Sequence, residues 1–98
     1  MSSKVERHRE ICLGLNDLYK KKNEAYGDSF GDTYKKLGII SAITRISDKF
    51  NRIVNLVQNN SIDDLGESIE DTLLDMANYC IMTKMEIDER KEIVCKEH

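Results

Sequence analysis

Apolar residues recur every three or four positions through most of the chain. Nowhere do they alternate with polar ones for long enough to make a strand. The clearest series is Ile39, Ile43, Ile46, Phe50, Ile53 and Val57, spaced 4, 3, 4, 3 and 4, with Ala42, Val54 and Leu56 behind it. This heptad-like seam predicts a helix from 39 to the turn-favouring asparagines of QNNS. Val5, Ile11, Cys12, Leu15, Leu18 and Tyr19 predict a first helix over about 3–23. Ser2 and Ser3 are its candidate caps, and Glu6 completes a capping box with Ser3. Ile69, Leu73, Met76, Cys80, Thr83 and Ile87 predict a last helix from about 62 or 67 to about 94. Ser61 and Asp64 form its candidate cap, and the charged tail ERKEIVCKEH is expected to fray. The pattern predicts an all-α bundle of three main helices, a single domain over residues 1–98.

Between the first two helices lies KKKNEAYGDSFGDTYKK, residues 20–36. Asn23, Gly27, Asp28, Ser29, Gly31 and Asp32 are turn formers, so a loop is expected, with a short turn from Thr33 towards Gly38. Lys20, Lys21, Lys22, Lys35 and Lys36 flank it and can hold phosphates. Tyr26 and Phe30 can stack on a base, and the glycines let backbone N–H groups approach an anion. The structural alternative is a lysine-rich helix end whose aromatics close the bundle.

The third helix carries a second polar pattern. Glu67, Asp71, Asp75 and Asn78, spaced 4, 4 and 3, share one stripe with Glu70 beside it. Like charges at these spacings cost a few tenths of a kcal/mol per pair, so something positive is expected opposite. One candidate is the stripe of Ser41, Arg45, Asp48, Arg52 and Asn55, with Lys49 next to it, in which Arg45 and Arg52 would pair with Asp71 and Asp75. The other is a divalent cation. Mg²⁺ takes carboxylate oxygens and keeps waters or substrate phosphates as its remaining ligands. Structural ion pairs are the commoner use of such a pattern.

Composition narrows the choices. The chain has 98 residues, 34% of them charged, and no proline, which permits long uninterrupted helices. A domain this small has a thin core, so completion by oligomerisation, as a dimer or larger, is expected. No apolar run is long enough to span a membrane, and MSSKVERHRE lacks the apolar core of a signal peptide. Cys12, Cys80 and Cys95 have no metal-ligand spacing, and with no leader they suit a reduced, cytoplasmic protein. His8 and His98 are too isolated for a metal pair, and Met76, Met82 and Met85 read as core. Residues 1–52 carry 11 Lys and Arg against 7 Asp and Glu, and residues 53–98 carry 4 against 11. A half at +4 thus faces a half at −7, for a total of −3. That balance argues against duplex DNA as a partner, since phosphate neutralisation needs a basic surface.

Taken together, KKNEAYGDSF, AITRISDKFNRI and ESIEDTLLDMANYCIM resemble the phage and bacterial family called nucleotide modification associated domain 1, over roughly residues 15–87. A more distant similarity is to the all-α MazG-like and dimeric dUTPase-like nucleoside triphosphate pyrophosphohydrolases. Their paired ExxE and ExxD carboxylates would fall at Asp48 and Asn51, and at Glu67 and Asp71 or Asp71 and Asp75. The resemblance implies a nucleotide site. Its base would lie near Tyr26 and Phe30, with Asp28 and Asn78 as further contacts. Its phosphates would meet Lys22, Lys49 and Arg52, helped by Arg45. Mg²⁺ would be held by Asp48, Glu67, Asp71 and Asp75, with Glu67 or Glu70 as general base. Three functions remain open: a metal-dependent nucleotide phosphohydrolase; a non-catalytic protein that sequesters a nucleotide or a cyclic or ADP-ribose-type immune signal in an infected host's cytoplasm, as an anti-defence device; and a module that inhibits a host protein.

Overall fold

The computed structural model describes residues 3–59 and 62–97, and the side chains of 3–59 and 68–95. Four helices follow one another: α1 (Lys4–Tyr26), α2 (Ser29–Leu37), α3 (Ile39–Asn59) and α4 (Ile62–Glu97). No strand occurs among the described residues. The fold is all-α, with three long helices and one short one.

The segment expected to be a loop is mostly helix. α1 runs past Asn23 to Tyr26, because Glu24 and Ala25 are good helix formers. It stops at Gly27, whose φ of 69° lies where side-chain-bearing residues are disfavoured and whose N–H donates to the Asn23 carbonyl. Asp28, read from sequence as a turn former, is the N-cap of α2: its carboxylate accepts from the Gly31 N–H at 3.1 Å. Gly38, at φ 80°, ends α2, and α3 begins at once. The last helix also runs further than expected, through 97, so the charged tail is helical to that point. The Ser61 and Asp64 cap lies outside the described residues and side chains.

α3 and α4 form an antiparallel pair. Arg52 Nε donates to Thr72 Oγ1 at 3.3 Å, Lys49 pairs with Asp75, and Arg45 lies over the Tyr79 ring. The buried hydroxyls of Thr72 and Thr83 donate to carbonyls one turn back, so neither lacks a partner. α1 packs on another side of α4, where Asn78 Nδ2 donates to the Leu15 carbonyl at 3.2 Å. α2 lies across the Tyr79 end of the pair and is held by Phe30, 5% exposed and stacked on Tyr79 at 5.9 Å between ring centroids. Lys35 of α2 reaches Glu89 of α4.

The core is thin. Among the described residues, only Leu15, Phe30 and Ala42 are buried apolar side chains. Phe30→Ala should therefore cost about 3 kcal/mol or more, a large part of the roughly 5–15 kcal/mol a small domain has. Urea unfolding at fixed protein concentration measures it; a loss below about 1 kcal/mol would mean that Phe30 does not anchor α2.

Glu86 is buried where α4 meets the start of α2. A Cβ on Gly31 would stand 2.7 Å from Glu86 Oε1 and against the Asp28 carboxylate, so the glycine makes room for both acids. Burial raises the Glu86 carboxyl above its ordinary value of 4.5. Glu89, Asp28 and Asp32 add to the rise, and Lys35 opposes it. The folded chain thus holds this proton more tightly than the unfolded chain. The corresponding stability is fully present below pH 4.5 and is lost as pH rises through the raised value. Glu86→Gln removes the charge and keeps the shape. Its melting temperature relative to the parent should rise between pH 4.5 and neutrality; a pH-independent difference would contradict the burial argument.

Candidate functional site

Two helix faces with the same spacing meet in a cleft. α1 contributes Tyr19, Lys22, Asn23 and Tyr26, at i, i+3, i+4 and i+7. α4 contributes Asp75, Asn78, Tyr79 and Met82, at the same intervals. The junction residues Gly27, Asp28 and Ser29, with Phe30 and Arg45, close the cleft, whose volume is about 190 Å³. This spacing keeps four side chains on one side of a helix for two turns.

Charge in the cleft is organised around Asp75. Its Oδ1 lies 3.3 Å from Lys22 Nζ and its Oδ2 lies 3.3 Å from Lys49 Nζ, so one carboxylate ties α1 and α3 to α4. The pair expected from sequence was different. Arg45 makes no ion pair among the described residues. Its guanidinium carbon lies 5.3 Å from the Phe30 ring centroid and 6.0 Å from that of Tyr79, a cation–π arrangement. Arg52 bonds Thr72 rather than Asp71 or Asp75. Phe30, with its ring packed against Tyr79 and Arg45, is a floor beneath the cleft rather than an open stacking surface. Tyr26, 78% exposed, stands at the mouth.

Of the residues expected at a site, Lys22, Tyr26, Asp28, Phe30, Arg45, Asp75 and Asn78 line this cleft, and Lys49 joins it through Asp75. Asp48 and Arg52 do not. They line a second, more open concavity with Asn51, Asn55, Leu56 and Asn59. Glu70 and Asp71 are exposed and line neither hollow, and the Glu67 side chain lies outside those described. Among the described residues, no group of three or more His, Cys, Asp or Glu side chains is gathered closely enough to hold a metal ion. Asp48, Asp71 and Asp75 are thus not gathered into one group of acids, and the Asp75 carboxylate is shared between two lysines.

Sequence reasoning missed Tyr19, Asn23, Ser29, Tyr79 and Met82 as lining residues. The signal was present for four of them. Carrying α1 on to Gly27 puts Tyr19, Lys22, Asn23 and Tyr26 on one side, and the Asp75–Asn78 step extends by the same rule to Tyr79 and Met82.

No curated protein and no solved structure matches the chain. The pattern of the family described as nucleotide modification associated domain 1 matches residues 22–87, which is 66 of 98 residues and includes every lining residue of the cleft except Tyr19; the chain belongs to that family.

Proposed function

We propose that the cleft between α1 and α4 binds a nucleotide and holds it without cleaving it. The observation that carries this reading is the meeting of the two i, i+3, i+4, i+7 faces. Together they supply what a nucleotide needs along its length. Tyr19, Tyr26 and Tyr79 offer aromatic surface for a base. Asn23 and Asn78 offer amide groups for a base edge, and the Asn78 Oδ1 stays available because its amide nitrogen is the group that bonds Leu15. Lys22 and Lys49 offer cations for phosphate. The volume of about 190 Å³ is smaller than the roughly 300–1,000 Å³ of pockets that bury a drug-sized ligand. It suits the base end of a nucleotide, with phosphates at the lysine-bearing rim. Family membership agrees with a nucleotide ligand in general terms.

Holding is favoured over hydrolysis by the donor set. The single acid of the expected Mg²⁺ group that lines the cleft, Asp75, is paired twice over. A carboxylate already paired with two lysines is a poor start for a metal site. An immune-signal nucleotide and a free (d)NTP share this chemistry, so both belong in one screen.

Purified protein should show a rise in melting temperature with at least one nucleotide in the presence of EDTA, and the ligand should be recovered intact by chromatography. Binding at 100 times Kd stabilises the folded state by about 2.7 kcal/mol, well within detection. Lys22→Met should weaken binding roughly tenfold, the scale of one charge-assisted hydrogen bond. Asp75→Asn should preserve or tighten binding, because it frees both lysines. Loss of binding in Asp75→Asn, with Mg²⁺-dependent cleavage by the parent, would overturn the reading in favour of the phosphohydrolase. No shift with any nucleotide would remove the nucleotide site altogether.

A further inference from the structure

The cleft is continued along the seam between α1 and α4 by a second hollow of about 250 Å³. On α1, Tyr19 belongs to both hollows. Cys12, Leu15 and Asn16 lead up to it at the i, i+3, i+4, i+7 spacing that Tyr19 itself opens in the cleft. Seven residues make close to two helical turns, so α1 keeps one unbroken face towards the seam. On α4, Asn78 and Met82 belong to both hollows, and Ile81 and Met85 extend them at the same intervals. The helices run antiparallel here, since Lys22 meets Asp75 while Leu15 meets Asn78. Going back along α1 and forward along α4 is therefore one direction, and it leads away from Lys22.

The two ends differ in chemistry. The cleft has Lys22, Arg45 and Asp75 on its walls. No charged residue lines the second hollow, in a chain that is 34% charged. Leu15 is buried there, while Ile81 and Met85 are each 47% exposed, so apolar surface lies open to a ligand. The thioethers of Met82 and Met85 adapt to irregular shapes and make favourable contacts with aromatic rings.

Size points the same way. Neither hollow alone, at about 190 and about 250 Å³, reaches the roughly 300–1,000 Å³ of sites that bury a drug-sized ligand. Joined through Tyr19, Asn78 and Met82, they do. Leu15 stands about 10 Å along α1 from Lys22, on the side of the cleft away from that cation.

We propose, on the basis of the nucleotide reading of the cleft, that the second hollow is a subsite for an uncharged aromatic group carried on the nucleotide's base. Tyr19, Asn78 and Met82, common to both hollows, then hold the base where they join. The added ring lies over Leu15 and between Ile81 and Met85, at the end away from the phosphates. A second nucleotide does not suit this end, because no cation lines it to meet a second phosphate.

Benzyl alcohol tests the subsite by itself. In the full chain it should shift the methyl resonances of Met82 and Met85 and leave that of Met76, which lines neither hollow, in place. No shift of either would overturn the subsite, and shifts that move on diluting the protein alone would hand the hollow to a second chain. N6-benzyl-ATP against ATP, both with EDTA, tests the link. The benzyl form should bind at least tenfold more tightly, the scale on which apolar pockets discriminate. Ile81→Glu and Met85→Glu change half-open side chains outside the cleft. Each should erase that gain and leave ATP affinity unchanged. Equal binding of the two nucleotides by the parent would overturn the link, and a gain that survives in both folded variants would overturn the placement. If the variants do not fold, the parent decides: a Met85 methyl shift with N6-benzyl-ATP and not with ATP supports the placement, and its absence refutes it. A response to benzyl alcohol with no binding of either nucleotide would sink the nucleotide reading instead, and the linked ligand with it.

Discussion

The carboxylate of Asp75 fixes the relation of three helices. It receives Lys22 from α1 and Lys49 from α3, and it does so at the wall of the cleft. Beside it, α1 is tied to α4 by the Asn78 amide, which donates to the Leu15 carbonyl. The energy of this tie is small. The Asp75 side chain is 27% exposed and that of Lys22 is 55% exposed, and pairs this open to water contribute about 0–1 kcal/mol each. Asp75 therefore sets geometry more than stability. It holds two cations in place beside a cavity, and it lowers the net charge there so that they can stand close together.

Stability has to come from apolar burial, and the isolated chain has little of it. Burying a Phe or Leu side chain is worth about 1.5–3 kcal/mol, and Leu15 and Phe30 are the two large apolar side chains buried among the described residues. Conformational entropy opposes folding by about 1–2 kcal/mol for every residue fixed. The seam of α3 holds the apolar surface that would redress this balance, and half of it faces water. The exposed seam and the thin core are thus two sides of one distribution: large apolar side chains such as Ile43, Phe50 and Val57 lie on the surface and not inside.

Much of the fold is legible in the sequence because helices announce themselves by period. Ile39 to Val57 gave the bounds of α3 closely, and the class follows from three such series. The errors lie where one residue type serves two purposes. Asp28 reads equally well as a turn former and as an N-cap, and Gly31 as a loop glycine or as space for two carboxylates. Choosing the loop hid α2 and shortened α1. The acidic stripe correctly called for positive charge opposite, yet the partners were misassigned. Arg45, Lys49 and Arg52 lie on one side of α3, and which of them reaches Asp75 depends on how α3 slides along α4. Neither helix records that register by itself. Lys22 lies inside the predicted first helix, but that it stands beside Asp75 depends on how α1 packs on α4, which the pattern of α1 alone does not record.

α4 organises the molecule because its sides have separate tasks. One side, through Thr72, Asp75 and Tyr79, meets α3. A second, through Asn78 and Met82, meets α1 and forms the cleft. The third, through Leu73, Met76 and Cys80, is the bare one. The cleft and the bare side thus lie on different sides of one helix. That arrangement lets a small chain place its stabilising contacts on one side of a helix and an open, cation-rimmed cavity on another, without asking the same side chains to do both.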